Sequence, residues 1–224
     1  ATGVCFINDD HLVAASLVGM RIYLYKINWE NKTSQLLHTL DNTFEGKITV
    51  VDLIDHSNGN IITSDYDLGT QTIYKVENNQ IKHVKDVTAI TKNIQSCHGA
   101  RFNPYDNNIL CCTCTSVYHA YFIDSALNKV IYKIFYDKKE FNCKDSAFVT
   151  VDTVLVIYTT SKVGCMSNDY TGRIIYYKVD LINKTHSVID SIDIKDFHAD
   201  SIKYYNNTIF VDNQLGDSLH VLNL

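Results

Sequence analysis

Five segments of this 224-residue chain repeat one pattern: RIYLYKIN (21–28), TQTIYKVE (70–77), HAYFID (119–124), RIIYYKVD (173–180) and SLHVLNL (218–224). Each alternates apolar with polar positions, the period of a half-buried strand. They recur about 44 to 55 residues apart, the interval of a repeat built from one four-stranded sheet. A second strand-like run precedes each of them: HLVAASL, NIITSDY, NILCCTCT, TVLVIYTT and TIFVDNQ. Before each of those lies a third: GVCFIN, KITVVDL, HGARFNP, DSAFVTV and ADSIKYY. A fourth follows the first four units: SQLLHTL, QIKHVKD, KVIYKIFY and HSVIDSID. No amphipathic helix interrupts the series. The chain reads as strands a, b, c and d, repeated five times.

Turn residues fall where hairpins need them, in NDD (8–10), HSNGN (56–60), ENNQ (77–80), NPYDNN (103–108) and YNN (205–207). Asn and Asp tolerate left-handed backbone and bond locally to their own turn. Fifteen tyrosines and a single proline, Pro104, agree with an all-β chain. Many short, evenly spaced strands suggest a β-propeller, with a β-sandwich as the alternative. The expectation is one domain over 1–224, with five blades and the last incomplete. That last unit stops at strand c. A three-stranded blade, a longer parent protein, or a strand lent by a partner would each account for it.

The formal net charge of −5 and the lack of a basic stripe argue against a nucleic-acid groove. No apolar run approaches a membrane span. Ala1 opens directly on a strand-like segment, so no signal peptide is visible, and the initiator Met is missing. Seven cysteines, an odd number without paired spacing, argue against a disulfide framework and for a reducing, cytoplasmic setting. Three N-x-Thr patterns, at Asn31, Asn183 and Asn206, weigh little in an Asn-rich chain. In CHGARFNPYDNNILCCTCT (97–115), Cys112 and Cys114 share one strand face and Cys111 takes the other. No metal knuckle spacing is present, so these thiols are expected to be reduced core residues. Cys165 is the expected exception, since 161–172 is the longest loop and the one expected to move most.

These units, with His98-Gly99 followed by ARFNPYDNNIL, resemble the β-propeller superfamily and, within it, WD-repeat-like propellers. The resemblance covers nearly the whole chain. The Trp-Asp dipeptide is missing from every unit, and Tyr or Phe stands in the Trp place in YLYKIN, TIYKVE, YFID and YYKVD. The resemblance implies a structural role, within its own blade, for a histidine near the start of strand a.

In a propeller the a strands line a central channel, and the residues at their starts ring one mouth of it. His98, His198, Lys144 and Asp145 hold that place in the third, fifth and fourth units, and Lys47 in the second. The b–c loops open on the same face and bring Asp65, Asp67, His119, Asp212, Asn213 and Asp217. The candidate ligand-binding set is therefore His98, His198, Lys144, Asp145, Asp65, Asp67, His119 and Asp212. His98 and His198 have a structural alternative, bonding inside their own blades, and the b–c loop aspartates another, closing tight turns. Local catalytic motifs are absent. A binding module for a protein partner or a small-molecule ligand is the first reading. A hydrolase- or lactonase-type enzyme and a lectin-like propeller follow it. No cofactor is expected. If a cation binds, Asp52, Asp65, Asp67, Asp145, Asp200 and Asp212 could offer oxygens to Ca or Mg.

Overall fold

The computed structural model describes residues 3–51, 54–65, 68–89, 97–114, 118–138, 140–160, 170–213 and 218–224. Asn-rich turns set its frame. Asn58-Gly59, Asn78-Asn79 and Asn206-Asn207 all have positive φ, between 47° and 79°. Two consecutive left-handed residues make the hairpin turn whose twist matches the strands it joins.

Blade 1 contains β1 (Gly3–Phe6), β2 (His11–Ser16), β3 (Arg21–Asn28) and β4 (Thr33–Asp41). A two-stranded hairpin follows, β5 (Thr43–Phe44) and β6 (Lys47–Ile48). Blade 2 contains β7 (Ile54–Ser57), β8 (Asn60–Ser64), β9 (Gln71–Glu77) and β10 (Gln80–Val87). Blade 3 contains β11 (Cys97–Asn103), β12 (Asp106–Cys114), β13 (His119–Asp124) and β14 (Lys129–Phe135). Blade 4 contains β15 (Phe141–Thr150), β16 (Thr153–Thr160), β17 (Thr171–Asp180) and β18 (Thr185–Lys195). Blade 5 has three strands, β19 (Ala199–Tyr205), β20 (Thr208–Asn213) and β21 (Leu219–Asn223). Each blade is an antiparallel meander in chain order, as the repeat predicts.

One strand differs from that reading. KITVVDL was expected to be strand a of the second unit, with Lys47 at the channel mouth. Instead Lys47–Ile48 folds back on Thr43–Phe44, because Glu45 (φ 49°) and Gly46 (φ 74°) form a tight turn. A buried polar network holds this detour. Asn42 Nδ2 donates to Thr49 Oγ1 at 3.0 Å, and Thr63 Oγ1 and Tyr74 OH donate to Asn42 Oδ1 at 3.0 and 2.9 Å. The true a strand, Ile54–Ser57, takes its register from the Asn58-Gly59 turn. Lys47 is thus not on an inner strand.

The period of two sends neighbouring side chains into different blade interfaces. Ile61 packs toward blade 1, with Val13, Ile22 and Leu24. Ile62 packs toward blade 3, with Phe102, Leu110 and Cys112. Cys111 turns the other way, toward Val154, Val156 and Tyr158 of blade 4. Leu155, Ile157 and Ile174 meet Ile202, Ile209 and Val211 of blade 5. Four apolar clusters thus fill the four spaces between consecutive blades. Among the described residues, no such cluster joins blade 5 back to blade 1. Cys5, Cys97, Cys111, Cys112, Cys114 and Cys143 are free thiols, and all but Cys5 are buried. Cys165 and residues 161–169 lie outside the described residues.

A hydroxyl near the end of each middle b strand pins the next blade. Ser64 Oγ donates to His98 O at 2.6 Å, Thr113 Oγ1 to Lys144 O at 2.6 Å, and Thr159 Oγ1 to Ala199 O at 2.8 Å. All three hydroxyl residues are buried.

Candidate functional site

The a strands run from one mouth of the channel to the other, and different chemistry collects along them. At the starting mouth three blades converge. His98 on β11 and Lys144 on β15 are each 7% exposed, and Lys144 Nζ lies 3.3 Å from His98 Nε2. Lys144 Nζ also lies 3.4 Å from Asp200 Oδ1 on β19. An ammonium can only donate, so in this contact Lys144 is the donor and His98 Nε2 the acceptor. His198 stands beside this group. Its backbone N–H donates to Asn213 Oδ1 at 3.2 Å, and its ring meets Tyr170 edge to face at 4.9 Å. Burial, and then the Lys144 charge, hold the His198 imidazole below its usual range. The result is one ammonium, two imidazoles and one carboxylate at a channel mouth.

The other sequence candidates are placed elsewhere or hold structure. Asp145 is completely buried and works one layer deeper. Its Oδ1 accepts from Arg101 Nε at 3.0 Å and Ser146 N at 2.8 Å. Its Oδ2 accepts from Ile202 N at 3.1 Å and closely from Arg101 Nη2. The carboxylate therefore ties β11, β15 and β19 together. Gly99 makes room for it, since a Cβ there would lie 2.3 Å from Asp145 Oδ1. Asp65 closes its own loop, accepting from Leu68 N at 2.7 Å and donating its backbone N–H to Thr70 O at 2.9 Å. His119 packs against Tyr121 and Phe135, and burial lowers its pKa. Asp212 Oδ1 accepts from Ser201 N at 2.5 Å, at the edge of the Lys144 group. Asp52, Asp67 and Asp217 lie outside the described residues. Among the described residues, no three His, Cys, Asp or Glu side chains gather as a metal would need.

Sequence reasoning missed the opposite mouth. There Asp55, His56 and Ser57, Arg101 and Phe102, Ala147 and Phe148, and Ile202 and Lys203 line a cavity of about 160 Å³. Asp55 accepts from Lys203 Nζ at 2.9 Å and from Phe102 N at 3.1 Å, and Arg101 Nη1 lies 3.6 Å from it. Burial would push the Asp55 carboxyl up, but Lys203 and Arg101 together hold it below the ordinary range. The missed signal is the correct a strand of blade 2. Once Ile54–Ser57 replaces the KITVVDL run, Asp55 falls among the inner strands.

No family model and no curated protein matches the chain. Solved structures do match its fold. The C-terminal WD40 domain of Sif2 superposes with a TM-score of 0.59 at 11% identity, over 99% of this chain and 57% of that one. The WD40 domain of Toxoplasma gondii coronin gives 0.67 at 14% identity, over 99% and 55%. Kuenenia stuttgartiensis hydrazine synthase gives 0.68 at 11% identity, over 96% and 61%. The chain thus spans less than two thirds of each of these structures. With antiparallel blades, apolar interfaces and inner strands around a channel, its fold is that of a WD-repeat-like β-propeller.

Proposed function

We propose that this propeller is a protein-binding module whose docking face is the channel mouth formed by His98, Lys144, Asp200 and His198. The observation that carries this reading is the convergence of these side chains from three separate blades. Rigid strands position them, and such placement is how a scaffold presents a recognition patch. Lys144 is almost buried, so a partner group that reached it would meet a charge only weakly screened by water. The cavity at the other mouth, about 160 Å³, is smaller than the roughly 300–1,000 Å³ usual for small-molecule sites.

The test is affinity capture followed by mass spectrometry. Wild-type protein is compared with Lys144→Met and His198→Gln, and with Ile182→Ser on the exposed outer rim. A partner held by wild type and by the rim variant, and weakened about tenfold or more by the mouth variants, supports the reading. Equal capture by all four proteins overturns it.

A further inference from the structure

The cavity at the mouth opposite the His98 group is walled by the inner strands of four blades, β7, β11, β15 and β19. Its charged lining comes from Asp55, Arg101 and Lys203, and its apolar lining from Phe102, Phe148 and Ile202. A concave, largely apolar space with a few placed polar groups is the ordinary form of a ligand site. The volume of about 160 Å³ limits the occupant. At roughly 30 Å³ for each water-sized group, it has room for about five such groups.

A count of donors and acceptors defines its chemistry. Asp55 has a partner at each oxygen: Lys203 Nζ donates to Oδ1 at 2.9 Å and Phe102 N to Oδ2 at 3.1 Å. Arg101 commits Nε and Nη2 to Asp145, with Nη2 also reaching Ser201 Oγ at 3.4 Å, and Nη1 donates to Ile54 O at 3.3 Å. The second N–H of Nη1 has Asp55 Oδ1 at 3.6 Å, too long for a hydrogen bond. An ammonium carries three donors, and Lys203, half exposed, places one of them on Asp55. His56 also lines the cavity. Its Nε2 accepts from Gly59 N at 3.1 Å, and burial lowers its pKa, so the ring is neutral and its proton sits on Nδ1. Among the described residues, the capacity left over at this mouth is therefore donor capacity, from Lys203, Arg101 and His56.

We propose that this cavity is a binding site for a free small monocarboxylate, its oxygens taken up by these donors and its short alkyl stem laid against Phe102, Phe148 and Ile202. A carboxylate only accepts and a cationic amine only donates, so the amine would set donor against donor. Arg101 and Lys203 balance Asp145 and Asp55 in charge, and Asp145 is held by Arg101. A single negative charge thus enters a neutral group through its cationic side. A dicarboxylate would exceed both the charge and the room. The site is separate from the docking face at the other mouth and stands without it.

The probe is sodium propionate, titrated into the isotope-labelled chain at constant ionic strength and read by backbone amide shifts. Saturable shifts at Phe102, Ala147 and Ile202 are expected, with a dissociation constant of about 1 mM. Propionamide, of the same shape without the charge, and propylamine should each bind about tenfold more weakly or worse. Lys203→Met, at a half-exposed position, should weaken propionate about tenfold while amide shifts away from the cavity stay in place. Lys203→Arg, which keeps the charge, should restore most of the affinity. Four results overturn the proposal: no saturation up to about 50 mM, propionamide binding as well as propionate, indifference to Lys203→Met, or saturable shifts confined to other parts of the chain. A peptide ending in a free alanine carboxylate that binds more tightly than propionate also overturns it, because the occupant would then be a chain terminus.

Discussion

A carboxylate with no exposure, Asp145, persists in this protein because Arg101 grips both of its oxygens and two backbone N–H groups complete the shell. Such a pair adds little net stability when compared with apolar packing, but removing one member leaves the other charged and buried. Arg101→Met should therefore destabilise the protein by about 3–5 kcal/mol in urea unfolding. The double variant Arg101→Met, Asp145→Leu should recover part of that loss, and a double variant no better than the single would disprove the pairing argument. Gly99→Ala should cost about 1–3 kcal/mol by overpacking against the same carboxylate. Histidine gives the pH dependence. Burial lowers the pKa of His56, His119, His186 and His198. The unfolded chain then binds more protons near pH 6, so stability is full above the ordinary imidazole pKa and falls as pH drops through the lowered one. Melting temperature should decline from pH 7.5 to 5.5, and His198→Gln should reduce that decline. An unchanged slope would show that His198 does not contribute.

At the scale of the strand, the hydroxyl pins are a repeated device. Thr113→Val and Thr159→Val keep shape but leave the Lys144 and Ala199 carbonyls without their donor. Each should cost about 1–3 kcal/mol, measured by chemical denaturation. A change below about 0.3 kcal/mol would mean that other groups satisfy those carbonyls. Cys111 on strand b of blade 3 and Cys5 on strand a of blade 1 make a second prediction. Burial pushes the Cys111 thiol up to about 12, and the Cys5 thiol, with Asp55 adding to the effect, also to about 12. Thiolate is the reactive form, so both should react slowly with a disulfide reagent in the native state and at once in denaturant. Fast native labelling at Cys111 would show that the blade 3–4 interface opens. The same scale shows what a sequence discloses. The alternation along RIYLYKIN, the continuous apolar run of TVLVIYTT and the Asn-Gly and Asn-Asn turns are local, so strands, hairpins and blade count are legible. Ser64, Thr113 and Thr159 were visible only as ordinary strand residues, because each partner sits in another repeat. Asp145 was grouped with its neighbour Lys144, yet adjacent strand residues point apart. Lys144 looks into the mouth and Asp145 into the wall, and no sequence period reveals Arg101 forty-four positions away. The KITVVDL misreading has a plain cause: a β-branched run has strand propensity, but the Glu45-Gly46 turn decided its pairing.

For the molecule as a whole, the arrangement is serial. Each blade shares an apolar cluster with its chain neighbours, and the ends of the series, β1 and β21, carry exposed apolar side chains such as Val4, Phe6, Leu219 and Val221. Stability in such an array approximates a sum of nearest-neighbour terms. Among the described residues, blades 2, 3 and 4 each share two such clusters and blades 1 and 5 one each. Hydrogen exchange should consequently be fastest in blades 1 and 5 and slowest in β12 and β16, and uniform protection across blades would contradict a nearest-neighbour account. The series also has a mechanical meaning. Stretched between handles on β1 and β21, the protein should not fail as one brittle body but yield in steps from its ends inward. Each step would release roughly one repeat, about 150 Å of extended chain for some 45 residues. Two contacts depart from this pattern: Arg101 Nη2 donates to Ser201 Oγ at 3.4 Å, from blade 3 to blade 5, and the strut from Lys203 to Asp55 spans from blade 5 to blade 2 across the channel floor. While it holds, pulling on blade 5 also loads blade 2, and Lys203→Met should lower the first rupture force without moving the later ones.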